Sequence, residues 1–70
     1  PATPDETLQF AVQWGRSNLS GEELSSFEQN LKDVFERVVS LNRDLIGKTP
    51  NLPEKTVDQI QSLISLFETL

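Results

Sequence analysis

The chain contains no cysteine, histidine, methionine or tyrosine. Without cysteine it can form neither a disulfide nor a thiolate metal site, and without histidine it lacks a common zinc ligand and the most frequent general base. The Glu-x-x-His motif of di-metal helical bundles is missing for the same reason. We therefore expect no metal, no cofactor and no catalytic residues, and predict that the protein is not an enzyme.

Positive charge is sparse as well. The net charge is −5, with 6 lysine and arginine residues that are scattered along the chain against 11 aspartate and glutamate residues. Nucleic acids and anionic lipids are bound by clustered basic residues, and a membrane-spanning helix needs roughly 20 consecutive apolar residues. Neither pattern is present, so we expect neither a nucleic acid nor a membrane as partner. With no secretory signal recognised, the expected location is cytoplasmic.

What is present is helical, and the first two helices begin at capping-box patterns. Thr3-Pro4-Asp5-Glu6 predicts a helix over about residues 4–14 that Gly15 ends. Ser20 and Glu23 form the second box, within a hydrophobic staple made by Leu19 and Leu24, and predict a long helix over about residues 21–46. Gly47, in the left-handed conformation, is expected to end this helix.

A proline turn separates the long helix from the third. Pro50 and Pro53 fix their own φ angles and push the preceding residues toward extended conformations. We expect Asn51 or Leu52 to cap a helix over about residues 53–69. The fold class is thus all-α: one domain over residues 1–70, with a short helix folded back at each end of a long one. The result is a compact bundle if the outer helices overlap and a flat two-layer arrangement if they do not.

The long helix carries a heptad row of apolar residues with alternating spacings of three and four. Its members are Leu24, Phe27, Leu31, Val34, Val38, Leu41 and Leu45. Such spacing places side chains on one side of an α-helix, so the row is predicted to be the main packing seam. Glu28 with Lys32 and Asp33 with Arg37 are expected to form i,i+4 ion pairs on the solvent side.

A second apolar row lies beside this seam and is formed by Phe35, Val39 and Ile46. One partner helix cannot cover both rows, and Leu66 of the third helix likewise points away from its main apolar side. The simplest cover is a second copy of the chain, which predicts a helical-bundle homodimer. Asn42 lies within the same arc, either as a polar residue at the rim or as a register-fixing contact across the interface.

Phe10 and Trp14, one turn apart on the first helix, are open to two interpretations. As structural residues they close the end of the core, which is the commoner role of such side chains. As functional residues they form an exposed aromatic anchor for another protein. The full set of candidate interface residues is Phe35, Val39, Asn42, Ile46, Leu66, Phe10 and Trp14.

The predicted function is a non-catalytic protein–protein interaction module: a small acidic helical homodimer, with a scaffolding or regulatory role, that also binds a protein partner. The alternative is a chaperone-like or inhibitor-type binder that buries its apolar third helix against a client protein. Antitoxins, signalling inhibitors and secretion chaperones belong to that class. A dimer would melt with a concentration-dependent midpoint, whereas a client-dependent binder would be poorly folded alone.

Overall fold

The computed structural model describes all 70 residues as three helices without strands. Helix α1 is Pro4–Asn18, α2 is Gly21–Lys48 and α3 is Glu54–Glu68. Every helix contacts the other two, which confirms the all-α class and selects the compact bundle over the flat arrangement. The molecule is a rod with principal extents of 43 × 19 × 19 Å. Its length is that of α2, since a 28-residue helix spans about 42 Å.

Helix α1 begins as predicted and ends later. The Thr3 hydroxyl accepts the Glu6 backbone N–H at 3.2 Å, and the Glu6 carboxylate accepts the Thr3 backbone N–H at 3.3 Å. Gly15 was expected to stop the helix, but it lies inside α1 and is buried. A Cβ built on Gly15 would lie 2.6 Å from the Phe27 ring, so glycine is required here for close packing of α1 against α2.

The ends of α2 differ from the predicted ones. Ser20 occupies the N-cap position, but its side chain makes no capping hydrogen bond; the positive φ belongs to Gly21, at 58°. Gly47 has no positive φ and lies within the helix, which continues to Lys48. In the following turn the left-handed residue is Asn51, with φ of 64°. Asparagine is among the few residues other than glycine that adopt this conformation readily.

Pro53 rather than Asn51 or Leu52 occupies the N-cap of α3, so the helix starts one residue later than predicted, at Glu54. The proline turn holds α3 back along the C-terminal part of α2, while α1 folds back from the other end. Both outer helices therefore reach the middle of α2, where the core lies. Six buried apolar side chains form it: Leu8, Val12, Val39, Ile60, Leu63 and Phe67.

The predicted seam of α2 is not its packed side. Val39, from the second row, is 0% exposed, whereas Val34 and Leu41, from the predicted seam, are 69% and 61% exposed. A heptad row drifts by about 20° per heptad around a helix with 3.6 residues per turn. The row is half-buried at Phe27 and is exposed at Val34 and Leu41, one and two heptads later.

Candidate protein-interaction surface

The largest departure from ordinary burial is a line of exposed aliphatic side chains on α2. We call Val34, Leu41 and Leu45 the outer row, and Phe35, Val39 and Ile46 the inner row. At 100° per residue the two rows point roughly 120° apart. The outer row extends over eleven residue steps, about 17 Å along the helix. Half-buried Val38 completes its heptad spacing between Val34 and Leu41.

An aromatic pair continues the outer row toward the N-terminal end of α2. Phe27 lies seven residues before Val34, and its ring centroid is 5.5 Å from that of Trp14 at an interplanar angle of 49°. This spacing and tilt are favourable for aromatic packing. Trp14 nevertheless remains 46% exposed, and Phe10, one turn away, is 72% exposed. Of the two interpretations, the structural one does not hold for Phe10, which is exposed, and Trp14 packs against Phe27 over the α1–α2 contact.

Three of the other predicted interface residues pack against the core of their own chain. Val39 is fully buried, in one cluster with Leu8 and Val12 of α1. Phe35 and Leu66 are partly buried against the same cluster. The reason for assigning this row to a second copy was that a helical hairpin could not cover it. One partner helix indeed does not cover it, but a second copy is not needed to bury this row, because α1 of the same chain supplies the missing layer.

Two further predicted interface residues are half-buried, Asn42 and Ile46. The Asn42 side-chain amide donates a 2.8 Å hydrogen bond to the Val38 carbonyl of its own helix. Asn42 also lies beside a small cleft of about 200 Å³, between Leu45 and the start of α1 at Thr3 and Pro4. Asn42 therefore has a hydrogen-bond partner within its own helix and lies at the rim, next to Leu45 of the outer row.

Charged residues border the outer row on the side away from the core. Arg37 is exposed and forms no ion pair, and Asp44 lies 3.8 Å from Lys48 across one helical turn. The predicted i,i+4 ion pairs are absent: Glu28 instead pairs with Arg16 of α1 at 3.0 Å, and Asp33 accepts a hydrogen bond from Gln29. Long-range ion pairing thus joins α1 to α2 and leaves Arg37 exposed beside Val34 and Leu41.

The opposite side of the rod carries an open groove of about 620 Å³ between α1 and α3. Its lining is mainly polar and includes Asp5, Arg16 and Asp58.

No group of three or more acidic side chains anywhere in the fold is arranged to hold a metal ion. None of the three helices combines the length and the apolar character that crossing a membrane requires.

Comparison of the chain with protein-family models, with curated proteins and with solved structures found no match.

The outer row was part of the predicted seam and was not identified as a surface from the sequence. One signal could have identified it. On one side of the outer row lie the charged residues Arg37 and Asp44. On its other side lie the uncharged residues Phe35 and Asn42. A row in the middle of an apolar arc has apolar neighbours on both sides. A row with charged neighbours on one side, such as the outer row, therefore lies at the margin of the arc.

Proposed function

We propose that this protein is a non-catalytic protein–protein interaction module that acts as a homodimer, joined through the outer row of α2. The observation that carries the proposal is the exposure of Val34, Leu41 and Leu45, at 69%, 61% and 42%, in one heptad row. Heptad spacing is what a helix needs to pack its side chains into those of another helix along their length. Isolated surface leucines need no explanation, but a continuous apolar line favours an interface.

The expected affinity is modest. Full burial of a valine or leucine side chain contributes about 1.5–3 kcal/mol. The outer rows of two chains, already partly covered, would together supply on the order of 10 kcal/mol, against an association cost of about 4–15 kcal/mol. At most about 6 kcal/mol then remains, so we expect dissociation at about tens of micromolar or above, and the oligomeric state should change within a practical concentration range.

The acidic outer faces of such a dimer remain available to a further protein partner, consistent with a scaffolding or regulatory role. The client-binding alternative required a free apolar side on α3. Ile60, Leu63 and Phe67 are instead buried in the core, so we do not propose that function.

The test is the absolute molar mass by light scattering over a wide concentration range. We expect the wild type to pass from one to two chains as concentration rises, and Leu41→Asp to remain at one chain, because dimer formation would bury its new carboxylate. Ser40→Asp is the matched control, since Ser40 is an exposed neighbour outside the row. A wild type that stays monomeric at every concentration, or a Leu41→Asp variant that dimerises like Ser40→Asp, would contradict the proposal.

A further inference from the structure

We infer that the two α2 helices of the dimer pair antiparallel, with Val38 of one chain opposite Leu41 of the other. This inference rests on the proposed self-association and goes beyond it by fixing the partner's direction and register. Three features of α2 carry it: the succession of apolar layers, the order of charges beside the row, and the residue that follows Leu45 in the same row.

The apolar layers match in this register. With Val38 opposite the partner's Leu41, Val34 meets the partner's Leu45, and the two-fold axis repeats both contacts. Every layer from Val34 to Leu45 then joins a valine to a leucine. The interface is isologous, because the same row is used by both chains. Its central layers join Leu41, which is 61% exposed, to the partner's Val38, which is half-buried beside its own core, and Val34 lies in the end layers.

The charges beside the row are complementary in the antiparallel direction. Arg37 and Asp44 are seven residues apart and so lie on the same edge of α2. In an antiparallel pair of helices this edge faces the same edge of the partner, in reverse order. Arg37 then lies beside the partner's Asp44, and Asp44 beside the partner's Arg37. Arg37 forms no intrachain ion pair, so it is free for this contact.

The parallel direction lacks this match. The next residue of the row after Leu45 is Lys48, three residues on. In a parallel pair Lys48, the last residue of α2, would face the partner's Lys48 across the seam, which places like charges together at that end of the contact. Arg37 would face the partner's Asn42, which is uncharged, so the parallel pair gives Arg37 no opposite charge. In the antiparallel register Lys48 lies beside the partner's Leu31 and faces no like charge.

Charge exchange tests the register. Arg37→Asp alone places like charges together at both symmetric contacts, and so does Asp44→Arg alone. We expect each variant to dimerise about tenfold more weakly than the wild type at low salt. Mixing the two variants should restore pairing to near wild-type strength, because a mixed dimer has opposite charges at both contacts. If mixing does not favour the mixed dimer over the two variants alone, the register is overturned.

A distance measurement tests the direction without altering the interface. The chain has no cysteine, so Ser26→Cys gives one exposed site for a spin label. We expect two labels in an antiparallel dimer to lie about 40 Å apart along the rod. A dimer with labels within about 25 Å would be parallel and would overturn this inference while leaving the proposed homodimer intact. A chain that is monomeric by light scattering would overturn both.

Discussion

Val34 and Val39 are the same residue type on the same helix, five positions apart, and their surroundings are opposite. Val39 is 0% exposed and packs in the cluster that joins all three helices, whereas Val34 is 69% exposed. Val39 of the inner row therefore contributes to the stability of one chain through the shared core, whereas Val34 contributes little to it. Hydrophobic character alone therefore does not distinguish the two rows. Their effects on stability when substituted should distinguish them.

The largest contrast is expected from a carboxylate placed in each row. Val39→Asp would bury an unpaired charge in the core, and we expect it to lose at least about 4 kcal/mol and to unfold a chain of this size. Val34→Asp points into solvent in the monomer, and we expect a change within about 0.5 kcal/mol. Circular-dichroism melting at concentrations below dimer formation measures both. Similar melting of the two variants would contradict the assignment of the rows.

A smaller contrast is expected between two glycines. Gly15→Ala would place a Cβ 2.6 Å from the Phe27 ring, whereas a Cβ at Gly47 meets nothing within 4 Å. Overpacking costs about 1–3 kcal/mol, and alanine returns up to about 1 kcal/mol of helix propensity at both sites.

We expect Gly15→Ala to lower the melting temperature by several degrees and Gly47→Ala to raise it slightly. Gly15→Ala should also change Trp14 fluorescence, because the displaced ring is the one that Trp14 contacts. Equal gains in stability from both alanines would mean that α1 does not pack on α2 through Gly15.

The smallest contrast is expected at the helix starts. Thr3 donates and accepts in a complete capping box, while Ser20 makes no side-chain capping bond. Thr3→Ala should destabilise the fold by about 1 kcal/mol. Ser20→Ala should have almost no effect on the midpoint of chemical unfolding. A loss at Ser20 equal to that at Thr3 would show that the Ser20 box forms in solution.

The helices themselves could be predicted from local sequence because the signals involved are local. The Thr3 box, the proline turn and the long apolar repeat gave three helices within a few residues of their observed bounds. The predicted ends of α1 and α2 were wrong because Gly15 and Gly47 were interpreted only as helix ends, and both lie inside helices. Whether a glycine ends a helix or admits a neighbouring ring depends on tertiary contacts, which local sequence does not contain.

The packed side of α2 could not be predicted from spacing alone. Both rows satisfy helical periodicity, and the choice between them depends on where α1 lies. Because α1 continues past Gly15 to Asn18 and reaches the middle of the rod, Leu8 and Val12 cover Val39. Of the candidate surface, the sequence identified Phe10 and Trp14 but assigned Val34, Leu41 and Leu45 to the seam.

The most direct test of the two-row account is a dilution series of amide nitrogen–proton NMR spectra of the wild type. We predict that backbone signals around Val34, Leu41 and Leu45 shift with concentration as the outer rows meet. Signals around Gln61 and Ser65, on the α1–α3 groove of the opposite side, should remain fixed. Spectra that do not change with concentration, or shifts centred on that groove, would contradict the account.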